Sequence, residues 1–433
     1  MFMCLILLLI CVNNCFSRQL DIDIETPNAI IMNAETGAIL YEKKAHEVVY
    51  PASITKISTA LYVLKILPSN LDTLIKCSGE ALCTTNERAK KIQNYTLPAY
   101  WLETDGSSAK IVKNEMLSIR DLLHGTLLSS GNDASNVLAS YVCEDIPTFV
   151  NKVNEMVCDL GCKNTHFCNP HGLHHPDHVT SAYDTALIAR EALTYQQFKE
   201  IVGSVYYKIP HINKKFDREF KNTNALIRKE SKHYYEQAFG VKTGYTKLAK
   251  YNLVAAASNG ERELIVVLHK SPTSKQRYYD AITMFDKAFA EKMETRVLFA
   301  KEETSFQNKL PMAANALIAM LKNDVILKYY PSEDENVETK LTWFECKLPI
   351  FKGDVVAEIS VLNKTGILLF KESLYATNTI KKKIIYQIFD ILESLIYICI
   401  IPIIFPCIIL IILLFFIRDQ EWLKIVVDYF LRR

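Results

Sequence analysis

The sequence predicts an α/β (α+β) chain: an antiparallel sheet covered by helices, then a small β-rich domain, then a C-terminal membrane segment. Three observations predict it. Apolar residues recur with helical period through much of residues 53–193. Short apolar runs on either side of turn residues bracket that region, at 28–42 and again at 252–269. From residue 395 to 417 the chain is almost wholly apolar, long enough to cross a bilayer core of about 30 Å.

Taken in order, residues 1–17 carry an apolar run of signal-peptide length, with small Cys15 and Ser17 placed for cleavage after Ser17. No Lys or Arg precedes that run, so an uncleaved anchor is the competing reading. The main domain is expected over 18–293. Residues 29–32 and 38–41 flank the turn-rich Asn33 to Gly37 and predict a hairpin. A helix follows from Ser53, with Pro51 at its entrance and Ile57, Ala60, Leu61 and Leu64 on one face. Residues 84–109 are polar and irregular and read as a rim loop. Ser118 caps the next helix, with Asp121 in the capping-box position. That helix ends at Ser129-Ser130-Gly131-Asn132 and another starts at once, which places the tripeptide in a turn between two core helices. Residues 148–160 predict a helix stopped by Gly161, 164–180 a turn-rich segment, and 180–193 a further helix. Lys242 ends a short strand candidate. Asn259-Gly260 joins two apolar runs as a hairpin, and 274–293 reads as a helix.

From 294 to 380 the runs 325–329, 341–344, 355–361 and 367–370 are short and alternating, which predicts the β-rich domain. Residues 381–394 read as a linker opening on Lys381-Lys382-Lys383. Residues 395–417 read as a transmembrane anchor interrupted by Pro402 and Pro406, and 418–433 as a tail.

The 433 residues suffice for two ordinary domains, and 49% hydrophobic against 23% charged residues indicates a folded core. A net charge of +2 gives no electrostatic case for a nucleic-acid partner. Outside the terminal apolar segments lie Cys77, Cys83, Cys143, Cys158, Cys162, Cys168 and Cys346. That is an odd number, so at least one thiol stays free or pairs between chains.

The chemistry centres on Ser53 and Lys56. A hydroxyl and an amine at i and i+3 share one helix face, and a neutral amine can take the proton of a serine nucleophile. Alone, that pair reads better as a helix cap followed by a surface lysine, since a short match needs its context. It is joined by Ser130-Gly131-Asn132 and by Lys242-Thr243-Gly244, and S-x-x-K, S-x-N and K-T-G together form a known signature. With Asn169-Pro170-His171-Gly172-Leu173 and Gly240-Val241 before the last motif, residues 25 to 380 resemble the low-molecular-mass penicillin-binding proteins, the serine-type D-alanyl-D-alanine carboxypeptidases.

The resemblance implies a β-lactamase/transpeptidase-like fold. It also implies an extracytoplasmic, membrane-anchored enzyme that acts on peptidoglycan stem peptides ending in D-Ala-D-Ala and is acylated by β-lactam antibiotics, without a cofactor. In that reading Ser53 is the nucleophile, Lys56 the base and Ser130 a proton relay. Asn132 holds the substrate amide. Lys242 and Thr243 take the terminal carboxylate, Gly244 lets the strand approach the substrate, and the N–H groups of Ser53 and Tyr245 form the oxyanion hole. Tyr245 departs from the histidine common among relatives. The family's carboxylate-binding arginine has no obvious counterpart; Lys270 is the nearer candidate and Arg277 the weaker. β-Lactamases sharing these motifs carry a deacylating carboxylate, but 165–169 holds no acid, which implies a long-lived penicillin adduct.

Two further functions share these features: DD-endopeptidase action on cross-linked peptidoglycan, and an inactive membrane-tethered binding protein. A zinc-peptidase site built from His166, His171, His174, His175, His178 and Asp177 is a rival mechanism. These spacings match no standard zinc motif, so no metal is expected. Lys364-Thr365-Gly366 repeats the K-T-G spelling but reads as a hairpin turn.

Overall fold

The computed structural model describes residues 6–9, 18–209, 218–333, 337–363 and 366–418, with 424, 427–429 and 431 beyond. The expected signal peptide falls outside the described residues except for Ile6–Leu9. So do Lys364-Thr365 and most of the 418–433 tail. The chain divides into two compact units, one comprising Phe16–Glu294 and Tyr329–Asp334, the other Met1–Cys15, Thr295–Lys328 and Glu335–Arg433.

In the first unit, β1 (Asn28–Asn33) and β2 (Ile39–Lys43) form the expected hairpin, closed by the Ala38 carbonyl on the Asn33 N–H, with Gly37 at φ 78°. Then come α1 (Lys56–Ile66), α2 (Glu87–Ile92), α3 (Ile119–Leu127), α4 (Asn132–Val142), α5 (Ile146–Asp159), α6 (Ala182–Ala192) and α7 (Gln196–Gly203). The sheet is completed by β3 (Ala238–Thr246), β4 (Lys250–Ser258) and β5 (Glu263–Ser271), and α8 (Gln276–Phe289) ends the unit. Strand order is β3-β4-β5-β1-β2, every pairing antiparallel. β3 is therefore an edge.

The apolar runs of β4 and β5 lack polar alternation because both faces of the sheet are covered. Val254, Ala256, Ile265 and Val267 pack on the layer of α1 and α3 to α7. Leu253, Ala255, Ala257, Leu264, Val266 and Leu268 pack with Tyr278, Ala281, Met284 and Phe285 of α8. The capping box at Ser118 and Asp121 forms as expected, and α5 stops before Gly161, whose φ is 87°. The segment at 329–334 joins this unit through Arg262, whose Nη1 meets Glu333 at 2.8 Å and Glu291 at 3.2 Å.

Three expectations need correction. Lys242 does not end a strand; it sits mid-way along the nine-residue β3. The 84–109 segment is not merely an irregular loop. It contains α2 and a parallel pairing of Thr84–Thr85 with Leu102–Glu103, which short polar runs conceal. The α-helix of the first motif starts at Lys56, after a 3-10 turn over Ala52–Thr55.

In the second unit, β6 (Ser305–Asn308), β7 (Leu317–Leu321), β8 (Glu338–Trp343), β9 (Val355–Leu362) and β10 (Leu368–Ala376) lie in one antiparallel sheet. Ile6–Leu9 pairs antiparallel with β8. Gly366, at φ 81°, follows Lys364-Thr365 between β9 and β10. The expected linker is instead helical. α9 (Ile384–Leu395) runs through a π-helical stretch, Ile396–Ile400, into α10 (Ile401–Arg418). Residues 384–415 form one helix long and apolar enough to cross a membrane.

Candidate active site

The 3-10 turn at Ala52–Thr55 explains how Ser53 and Lys56 meet. With three residues per turn, side chains at i and i+3 eclipse, and Lys56 Nζ lies 3.0 Å from Ser53 Oγ. The turn enters through Ala52 at φ 51°, a conformation that must be imposed on a residue with a side chain. Several contacts impose it. Asn252 on β4 donates to the carbonyls of Tyr50 (2.9 Å) and Pro51 (3.0 Å). Thr55 Oγ1 donates to the Ala52 carbonyl at 2.9 Å. His178 accepts the Cys168 N–H through Nδ1 (2.9 Å), so its Nε2 carries the proton and meets Thr55 Oγ1 at 2.8 Å. Burial pushes that imidazole down to about 3, which keeps it neutral. Gly172, at φ 90°, lies so close that a β-carbon there would come within 1.9 Å of the Ala52 carbonyl oxygen.

Lys56 is fully buried. Besides Ser53 its Nζ reaches Asn132 Oδ1 at 2.7 Å and the His171 carbonyl at 2.6 Å. One amine thus ties together the first motif, the middle motif and the Asn-Pro-His-Gly-Leu turn. Burial, then the charge of Lys242, hold its pKa well below the usual lysine range. Lys242 is also buried and donates to the Thr243 carbonyl at 2.9 Å. Burial and the Arg277 guanidinium lower it to about 7.

Ser130 occupies the turn between α3 and α4 at φ 61°, and its buried hydroxyl makes no hydrogen bond among the described residues. The neighbouring Asp133 fixes that turn. Its carboxylate accepts from the N–H groups of Ala109 (2.7 Å), Ala134 (2.9 Å) and Ile111 (3.0 Å) and from Ser108 Oγ (2.7 Å). Thr243 Oγ1 meets Thr223 Oγ1 at 2.7 Å. At Gly244 a β-carbon would lie 3.0 Å from the Pro51 carbonyl and 3.3 Å from the Ile54 nitrogen. The lack of a side chain there brings β3 against the serine turn; the approach is to protein backbone before it is to substrate. Tyr245 is exposed and stacks on its cross-strand partner Tyr251, centroids 4.5 Å apart.

Arg277, ranked behind Lys270 by sequence, is the cation at this strand. Its Nη1 lies 3.1 Å from the Asn252 carbonyl and 3.4 Å from that of Gly244. Lys270 is exposed and its charge acts on Glu47. α8 supplies Arg277, and a helix a whole hairpin beyond K-T-G gives no local hint of that proximity. The histidines serve as hydrogen-bonding struts: His171 donates from Nε2 to the Tyr100 carbonyl at 3.1 Å and accepts the Leu173 N–H at 3.2 Å. Among the described residues no group of three or more His, Cys, Asp or Glu is placed to hold a metal ion, and the described cysteines form no disulfide.

A serine hydroxyl 3.0 Å from a desolvated amine is the pairing that a serine enzyme of acyl transfer requires. The family described as D-alanyl-D-alanine carboxypeptidase matches residues 14–273, and the chain belongs to that family. It is similar to the D-alanyl-D-alanine carboxypeptidase DacF of Bacillus subtilis, 31% identical over 84% of this chain and 88% of that one. DacA of Haemophilus influenzae is 28% identical over 76% of this chain and 79% of its own. The DD-transpeptidase of Streptomyces K15 has a similar structure, with TM-score 0.53, 29% identity and coverage of 62% of this chain and 98% of that one. The carboxypeptidase DacD of Francisella tularensis shares the fold, with TM-score 0.56 and 22% identity over 84% of this chain and 96% of that one.

Proposed function

We infer that the protein is a serine-type D-Ala-D-Ala carboxypeptidase that removes the terminal D-alanine from peptidoglycan stem pentapeptides and is acylated by β-lactams. The observation that carries this is the 3.0 Å contact between Ser53 Oγ and the buried Lys56 amine. Neutral Lys56 takes the Ser53 proton as Oγ bonds to the carbonyl carbon of the penultimate D-alanine. The backbone N–H groups of Ser53 and Tyr245 are suited to hold the oxyanion, a stabilisation worth about 3 kcal/mol per donor. As the C–N bond breaks, Ser130 passes a proton to the leaving D-alanine amine. Water then attacks the acyl carbon, and Ser53 recovers its proton. Asn132 orients the substrate amide. Lys242, Thr243 and Arg277 face the terminal carboxylate with charge and hydrogen bonds.

The same reading places residues 1–17 as an export signal and the helix at 384–415 as the anchor, with the 18–293 domain on the extracytoplasmic side. The helix would be about 48 Å long at 1.5 Å per residue, more than a bilayer core needs. Gln387, Asp390, Glu393 and Ser394 share one side of α9. This stripe suits an interfacial α9 ahead of a membrane-crossing α10.

Incubation with a pentapeptide and with a cross-linked dimer, each analysed for products, tests the activity. Free D-alanine from the pentapeptide, unaffected by chelator and lost in Ser53→Ala, is expected. Cleavage of the dimer alone, or activity that survives Ser53→Ala, contradicts the reading.

A further inference from the structure

We propose that the buried Lys90–Glu103 ion pair is a positioning element of the active site, holding a wall formed by residues 100–111 against Asn132 and the His171 turn. Lys90 lies on α2, whose other charged residues, Glu87, Arg88 and Lys91, face solvent. It alone turns inward, to 2% exposure. Its Nζ meets the Trp101 carbonyl at 2.9 Å and Glu103 Oε1 at 3.1 Å. A lysine is rarely buried so deeply unless a partner repays its desolvation, and this one is neither nucleophile, base nor carboxylate anchor.

What the pair holds gives it a role. From Tyr100 onward the wall touches two of the site's parts, the His171 turn and Asn132. The Tyr100 carbonyl accepts from His171 Nε2 at 3.1 Å and from Asn136 Nδ2 at 2.8 Å. His171 in turn offers its carbonyl to Lys56 at 2.6 Å. The Glu103 carbonyl accepts the Gly106 N–H at 2.9 Å, and a β-carbon at Gly106 would stand 2.9 Å from Asn132 Nδ2. The Ser107 carbonyl accepts the Asn132 N–H, also at 2.9 Å. Lys90 bridges the Trp101 backbone and the Glu103 side chain, so one ammonium sets the path of the chain just before it meets Asn132. Asn132 Oδ1 is 2.7 Å from the Lys56 amine. A shift of the wall therefore reaches the base through its own hydrogen bonds.

The inference rests on the acyl-enzyme reading above, and its test separates the two. Penicillin acylation, KM and kcat for a D-Ala-D-Ala peptide, and thermal midpoints are measured for the wild type, Lys90→Met, Lys90→Arg and Lys90→Met/Glu103→Leu. Misplacing a positioned group by about 1 Å costs roughly a hundredfold in rate. Lys90→Met is expected to lower acylation between about tenfold and a hundredfold, in kcat more than in KM. Lys90→Arg is expected to recover most of it. The apolar double variant should regain the thermal midpoint without regaining the acylation rate, because Met and Leu fill space but cannot direct the Trp101 carbonyl. A Lys90→Met protein that acylates like the wild type overturns the proposal. So does a double variant whose acylation returns with its midpoint, and that variant decides the matter if the single one is too unstable to assay. An inactive wild type would instead sink the acyl-enzyme reading itself.

Discussion

In the proposed mechanism two buried lysines, Lys56 and Lys242, divide their labour by protonation. Lys56 is useful as a base only when neutral, and its burial and the nearby Lys242 charge push it that way. Lys242 is useful to a carboxylate only when charged, and it loses its proton as pH rises through about 7. The acylation efficiency therefore falls on the acid side as Lys56 gains a proton and on the alkaline side as Lys242 loses one. In Lys242→Gln the alkaline limb should vanish from the pH profile of kcat/KM, which reports the free enzyme; an unchanged limb would assign it elsewhere. The same shift has a stability consequence. A lysine whose folded pKa lies below its unfolded value of about 10.4 makes the unfolded state bind more protons in between. The penalty is present below the folded pKa and is relieved as pH rises. Denaturation of the wild type should show stability gained as pH rises between 7 and 10, with Lys242 contributing part of the gain. Lys242→Gln should flatten that rise. The residue types at this scale were all legible in the sequence, because S-x-x-K, S-x-N and K-T-G are local spellings. That Arg277 rather than Lys270 meets the K-T-G strand was not recoverable, since the packing of α8 on the sheet decides it.

The elements matter through what they press together. α1 is entered by a 3-10 turn and clamped by β4 through Asn252, by the 164–180 segment through His178, and by the close approach of Gly172. Gly172→Ala would force a methyl into the Ala52 carbonyl from a backbone at φ 90°. We expect a loss of about 3 kcal/mol, at the top of the usual overpacking range, and a collapse of penicillin acylation, read by thermal denaturation and gel labelling. Asp133→Asn should also destabilise by about 3 kcal/mol, because a carboxylate held by backbone N–H groups is replaced by an amide that also points donors. It should release the turn carrying Ser130; a variant with an unaltered midpoint and acylation rate would refute that role. The hairpins at 28–42 and 252–269 and the capped α3 were visible because turn residues and caps act locally. α2 was not, being six residues of mostly charged character. Its one informative feature, an inward lysine, appears only once Glu103 is folded beside it.

On the scale of the whole molecule, the proposed reading separates anchoring, by the long apolar helix, from chemistry. A chain ending before Ile384 should leave the membrane fraction yet acylate at the full rate, as read by fractionation and penicillin labelling; lost acylation would tie the helix to the site. The β-rich unit and the helix were foreseen from alternation and apolar length. The continuity of α9 with α10 was not, because Lys381-Lys382-Lys383 and the scattered polar residues up to Ser394 look like a linker until their common face is seen. The most direct test of the account is the intact mass of the full-length protein after brief exposure to penicillin, followed by peptide mapping. One penicilloyl group on the peptide containing Ser53, persisting for many minutes and absent from Ser53→Ala, is the predicted result. A protein that gains no mass, gains it on another residue, or sheds it at once with rapid turnover of penicillin would contradict the account.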